Sequence, residues 1–205
     1  TLDLESNTYL IYWKYLLKIL SSHFNKSSDN LDFIAKKKLY VIGESHSLVS
    51  HGLHVIKPND DFICKSLLIK GCMQWHLGNS INNQYKNKFE GLFHSLPKSS
   101  EVLLSIGEID CRLNSGIIKL KNKFPEKNTT HLISSTIENY LNYINKINSN
   151  CEHKIIIQGI PCPNINTENF PKEKVIELVS LIREFNAVLK DKSTEIGFGF
   201  LDVYK

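Results

Sequence analysis

The sequence predicts an α/β domain built on a doubly wound, parallel five-stranded sheet with helices on both faces. Three observations carry this. Short, nearly continuous apolar runs recur along the chain, three of them close at a glycine, and helix-patterned segments separate them. Strands that are apolar on both faces belong in parallel sheets covered by helices.

The elements follow in order. Tyr9, Trp13, Leu16, Leu17 and Leu20 recur at helical spacing, so residues 9–20 form an N-terminal helix. Lys14 and Lys18 interrupt this run, which is too short to span a bilayer. It packs on the core, docks on a partner protein or lies at a membrane interface. Residues 21–30 are Ser/Asn-rich and read as a linker, which leaves 31–205 as the main domain.

There, "KLYVIG" (38–43) is a buried strand, and "FICKSLLIKG" (62–71) contains a second. Tyr85, Phe89, Leu92 and Phe93 set a helix over 79–96, with Asn79 or Ser80 as its cap. "EVLLSIG" (101–107) is the third strand, and Ile133, Ile137, Leu141 and Ile144 mark a helix over 130–147. "HKIIIQGI" (153–160) is the fourth strand, ended by "PCPN", which cannot continue a ladder. Pro171 suits the first position of a helix over 171–190, and "FGFLDVY" (198–204) is the fifth strand.

The totals restrict function. A chain of 205 residues suits one domain, which buries about 70% of its unfolded surface and needs no staples. With 41% hydrophobic and 22% charged residues it falls outside the disordered class. The five cysteines form no CxxC pair, which argues against a zinc ribbon or a disulfide framework. Reduced thiols in a cytoplasmic protein are the simpler expectation. The net charge of +4 comes almost wholly from lysine, with Arg112 and Arg183 the two arginines, and no basic stripe alternates with aromatics. Nucleic acid is therefore not an expected partner. Neither a signal-peptide pattern nor a transmembrane run is present, and no cofactor is expected.

In such sheets ligands bind outside the carboxyl ends of the strands. The first turn there reads "GESHS", placing Ser45 two residues after Gly43 and about where a helix would start. Backbone N–H groups at a helix start hold negative charge, so Ser45 is either an acyl-transfer nucleophile or simply, like Ser47, a helix cap. The second strand ends at Gly71, and the third at "GEIDCR", which puts Glu108, Asp110 and Arg112 at its mouth. His46, His51, His54 and His76 match no zinc spacing such as HExxH, so no metal is expected.

These turns together resemble the SGNH (GDSL-like) hydrolases. Gly43-Glu44-Ser45-His46-Ser47 is similar to that family's Gly-Asp-Ser block, Gly71 falls at its second-block glycine, and Gly107-Glu108-Ile109-Asp110 falls at its Gly-x-Asn-Asp. The resemblance runs over roughly 38–204 and implies a flavodoxin-like sheet. It also implies a serine esterase, with Ser45 as nucleophile and the N–H groups of Ser45 and Gly71 as oxyanion hole. By family habit the substrate is a small-molecule or carbohydrate ester carrying a short acyl group such as acetyl. An O-acyltransferase using the same serine is the alternative, as is an inactive SGNH-like binding module.

Two departures stand out. Ile109 replaces the asparagine that donates to the oxyanion hole, and one lost donor costs about a hundredfold or more in rate. Arg112 either substitutes for it, binds an anionic substrate group, or forms a salt bridge to Glu108 or Asp110. The Asp-x-x-His block that supplies the family's base aligns with Asp202-Val203-Tyr204-Lys205, without a histidine. Either that block lies beyond residue 205 or this member has replaced its base. His46 is expected to point away from Ser45, while His51, His54 and His76 are candidates to approach it.

Overall fold

The structure is a computed structural model that describes residue 17 and residues 37–57, 60–163 and 170–204. The helix expected over 9–20, Leu17 aside, and the linker over 21–30 lie outside the described residues. Among the described residues six strands occur, not five: β1 (Lys37–Gly43), β2 (His54–Lys57), β3 (Asp60–Leu68), β4 (Glu101–Ser105), β5 (Lys154–Gln158) and β6 (Gly199–Leu201). The helices described from end to end are α1 (Gln74–Gly78), α2 (Gln84–His94), α3 (Gly116–Lys123), α4 (Thr129–Asn148) and α5 (Lys172–Glu195).

The chain falls into two compact units, Thr1–Lys37 with His54–Ile63, and Lys38–Leu53 with Cys64–Lys205. In the first, β2 pairs antiparallel with the start of β3, from His54↔Ile63 to Lys57↔Asp60. Lys37 Nζ donates to Asp60 Oδ1, and His54 Nε2 lies 3.3 Å from Asp61 Oδ2. This pair is the first correction to the sequence expectation: the sheet is mixed.

Strand order is β2-β3-β1-β4-β5-β6. Setting β2 aside, this is the 2-1-3-4-5 order of a flavodoxin-like sheet, which reverses between β1 and β4. β1, β4, β5 and β6 are parallel, in a register that aligns Ile42, Leu104, Ile157 and Phe200 across the sheet. Side chains alternate between faces along a strand. Tyr40, Ile42, Val102, Leu104, Ile155 and Ile157 therefore share one face, and they form a single core cluster with Leu77, Phe89, Phe93, Ile133, Ile137, Tyr140, Ile144, Leu178 and Phe185.

Every one of those helical residues belongs to α1, α2, α4 or α5, so these helices cover the same face. Helices on both faces were expected, and the helices that fill this core account for one of the two. The reason they share a face is topological. The segment leading from β1 to β3 holds a 3-10 turn and β2 where a doubly wound sheet has a helix. The crossovers β4 to β5 and β5 to β6 step the same way across the sheet, and right-handed crossovers that step the same way stay on one side. Among the described residues, no helix is long and apolar enough to cross a membrane.

Local signals explain most helix ends. Asn83 caps α2, accepting from Tyr85 N at 3.0 Å and Lys86 N at 3.1 Å. The expected caps, Asn79 and Ser80, precede it because Asn79 instead closes α1, its N–H donating to Trp75 O at 3.0 Å. Asn128 caps α4, accepting from His131 N at 3.3 Å. Pro171 sits at the cap of α5 rather than at its first helical position, and the helix runs on to Glu195.

Candidate active site

The end of β1 is held tightly against β4. Gly43 pairs with Ser105, and a Cβ on Gly43 would lie 2.2 Å from Ser105 O, so no larger residue fits there. Gly43 O accepts Ile69 N at 2.8 Å, and Glu44 N donates to Ser105 O at 3.2 Å. The turn that follows therefore emerges at the point where the strand order reverses, the usual ligand position in such sheets.

That turn is not the start of an α-helix, as expected, but a 3-10 stretch, Ser45–Ser50. Two groups fasten it. Ser47 is buried, and its Oγ and N donate to Glu44 O at 2.7 and 3.0 Å. The Glu44 side chain folds over the turn and accepts from Ser45 Oγ at 2.9 Å and His46 N at 3.2 Å, while His46 Nδ1 lies 2.7 Å from its other oxygen. Glu44 is therefore the capping residue. Ser45 is exposed and presents a hydroxyl that donates to a carboxylate.

Glu44 is 1% exposed. Burial pushes its pKa up, but the hydrogen bond and charge of His46 outweigh this, helped by Ser45 Oγ and His46 N–H, and the carboxyl sits below its ordinary 4.5. The same hydrogen bond to Glu44 raises His46 above its ordinary 6.5, against the burial that lowers it. His46 thus bonds Glu44 and not Ser45.

Glu108 follows Gly107, whose φ of +139° and whose close neighbours, Ile160 Cδ1 at 2.6 Å and Gln74 Nε2 at 2.8 Å from a notional Cβ, require glycine. Arg112 resolves the three options left open for it in favour of a salt bridge. Its Nε donates to both Glu108 oxygens, at 2.8 and 3.0 Å, and its Nη2 lies 2.6 Å from Oε2. Atoms of Glu44, His46 and Glu108 that can ligate cations lie within 4.8 Å of one another. The two carboxylates are already set against Arg112 and His46.

Asp110, expected at the crevice, is turned inward instead and is 1% exposed. It accepts Gln74 N at 2.8 Å and Trp75 N at 3.1 Å, fastening the start of α1. Burial pushes its pKa up to about 7 against those hydrogen bonds. Gly71 lies two residues past Ile69, with φ of +74°, and among the described residues no group accepts its N–H. Ile109 stands in the 3-10 turn Ile109–Cys111 and offers no side-chain donor.

Three further histidines are occupied elsewhere. Nδ1 of His51 accepts Ser66 N at 3.1 Å. His76 accepts Met73 N at 3.1 Å and stacks on Tyr85 with ring centroids 3.9 Å apart. His153 Nδ1 accepts Ser100 N at 3.2 Å. Among the described residues, the Ser45 hydroxyl has its one hydrogen bond with Glu44 and none with a histidine. Burial pushes the Cys72 and Cys111 thiols up, which leaves neither a nucleophile.

Sequence reasoning missed two parts of the surroundings. Ser105, Gln158 and Gly159 line a small crevice with Glu44, His46 and Glu108. Beside it lies a cleft of about 640 Å³ that His46 and Glu108 also line, walled by residues 160–163, Phe170 and α5. The "PCPN" interruption was the one visible signal of that wall.

No family model and no curated protein sequence matches the chain. Among solved structures it is similar to an extracellular lipase from Streptomyces rimosus, at 11% identity over 82% of this chain and 80% of that one, with a TM-score of 0.44. A phospholipase A1 from Streptomyces albidoflavus is similar at 11% identity over 80% and 78%, with a TM-score of 0.44. An alpha/beta hydrolase enzyme from the metagenome of Lake Arreo, Spain, is similar at 12% identity over 82% and 77%, with a TM-score of 0.48.

Proposed function

We propose that this chain is an SGNH-like hydrolase that cleaves an oxygen ester through Ser45, with Glu44 taking the serine proton. The observation that carries this reading is the 2.9 Å hydrogen bond from an exposed serine hydroxyl to a buried carboxylate at the reversal point of the sheet. In acylation, Ser45 Oγ bonds to the ester carbonyl carbon and its proton passes to Glu44 Oε2. The tetrahedral centre then collapses, the C–O bond to the alcohol breaks, and the departing oxygen takes the proton from Glu44. In deacylation, water adds to the acyl carbon and gives a proton to Glu44, which returns it to Ser45 as the acid leaves. His46, bonded to the other Glu44 oxygen, orients the carboxylate and stabilises its charge. By the resemblance, the N–H groups of Ser45 and Gly71 hold the developing oxyanion. With Ile109 in place of the family's asparagine, turnover is slower by about a hundredfold than with a third donor.

The resemblance suggests a short acyl group such as acetyl, carried on a carbohydrate, and the same serine serves acyl transfer to a second acceptor. A different reading, an SGNH-like binding module without turnover, is favoured by one observation: no histidine bonds to Ser45 among the described residues. The acid limb of the pH–rate profile for p-nitrophenyl acetate separates the mechanisms. A Glu44 base must be ionised, and it is ionised above a pKa already lower than 4.5, so activity persists down to that range. An acid limb near 6.5 would assign the base to an imidazole, and no Ser45-dependent turnover at any pH would support the binding module.

A further inference from the structure

We infer that the cleft beside His46 and Glu108 receives an apolar portion of the substrate, a hydrocarbon chain of about six to ten carbons, and that it is not built for a sugar. This rests on the reading of Ser45 as the site of ester chemistry. The cleft adjoins that site through shared residues: His46, bonded to Glu44, and Glu108 line both it and the crevice at Glu44.

The lining argues for the occupant. Four of the residues that line the cleft, Cys111, Ile160, Leu178 and Ile182, are buried apolar residues. Phe170, which also lines it, keeps 43% of its surface exposed, a large apolar group left facing outward. A sugar would need several convergent polar groups free to bond its hydroxyls. Among the described residues that line it, the cations are already engaged, Arg112 by Glu108 and Lys174 by Glu177 at 2.9 Å. The remaining amides, Asn114 and Asn122, are exposed and so belong to the mouth.

Size agrees. At about 30 Å³ for each small group, eight carbons fill roughly 240 Å³, well within the cleft and the span of small-molecule sites. The polarity of the lining favours a hydrocarbon chain over the acetyl group that the sequence resemblance suggests, and the volume accommodates one.

The test uses the full chain carrying Ser45→Ala, so that nothing is turned over, and titration calorimetry with ethyl acetate, ethyl hexanoate, ethyl octanoate and octyl acetate. Each methylene that leaves water is expected to tighten binding by about two- to fourfold, so ethyl octanoate, with six more methylenes, should bind at least about 60-fold more tightly than ethyl acetate. Phe170→Ser, an exposed position whose loss the fold tolerates, should remove most of that gain, and Leu178→Trp, checked for native circular dichroism, should remove it by filling the cleft. Octyl acetate binding as tightly as ethyl octanoate supports the cleft and shows that it takes a chain from either side of the ester. Weaker binding of octyl acetate supports it and places the acyl side there. Affinity that does not rise with chain length, or a rise unchanged by Phe170→Ser, overturns the inference. Binding needs no turnover, so failure of ester hydrolysis at Ser45 shows separately.

Discussion

Replacing Asp110 with Asn tests the claim that this residue serves the fold and not the chemistry. The carboxylate is completely buried and bonds Gln74 N at 2.8 Å and Trp75 N at 3.1 Å, one through each oxygen. Asparagine keeps one acceptor and turns an NH2 toward the other N–H, leaving a donor unsatisfied at a cost of about 1–3 kcal/mol. The pH dependence runs the other way. Asp110 is raised from 3.8 to about 7, so between those values the folded state holds a proton that the unfolded chain releases. Wild-type stability from this group is therefore present at low pH and is lost as pH rises toward 7.

From pH 5 to 7 that is two pKa units at about 1.4 kcal/mol each, so the wild type loses about 3 kcal/mol that the variant does not. Groups common to both proteins cancel in the difference. Urea denaturation followed by circular dichroism at pH 5 and pH 8 gives it directly. Asp110→Asn should be less stable than wild type at pH 5, with the gap closed or reversed at pH 8. A gap equal at the two pH values would mean that Asp110 is ionised throughout, and would refute burial as the governing cause.

Two further outcomes are expected. Gly43→Ala drives a Cβ to within 2.2 Å of Ser105 O, a contact with backbone that cannot swing aside. The cost should reach the upper end of the about 1–3 kcal/mol seen for overpacking, and a thermal shift under about 2 °C would contradict it. His46→Gln removes the hydrogen bond and charge that outweigh burial at Glu44, so the Glu44 pKa should rise. The acid limb of kcat/KM then moves to higher pH, and an unmoved limb would remove Glu44 from the reaction.

The strands were legible because burial on both faces leaves continuous apolar runs, as in "KLYVIG" and "HKIIIQGI", and Gly43 ends its run for a steric reason that the structure exposes. The long helix α4 was legible because Ile133, Ile137, Leu141 and Ile144 repeat over 20 residues. Shorter elements were not: α1 has five residues and β2 four, too few to establish a period. Missing β2 also hid the absence, among the described residues, of a helix between β1 and β3.

At the site, sequence position brought Glu44, Ser45, His46, Glu108 and Arg112 to the same end of the sheet. It could not orient side chains in the 3-10 turns, where neither alternation nor a 3.6-residue period applies. Asp110 differs from Glu108 by two positions and points into the core, while Glu108 meets Arg112 at the surface. The Glu44 hydrogen bonds to Ser45 and His46 depend on that same local geometry.

The measurement that tests the central claim most directly is fluorophosphonate labelling of the native-length protein, read by intact and peptide mass spectrometry beside Ser45→Ala and Glu44→Gln. The account predicts a single adduct on the Ser45 peptide, absent in Ser45→Ala and at least about a hundredfold slower in Glu44→Gln, as loss of a general base requires. No adduct on Ser45, or labelling at an undiminished rate in Glu44→Gln, would contradict it.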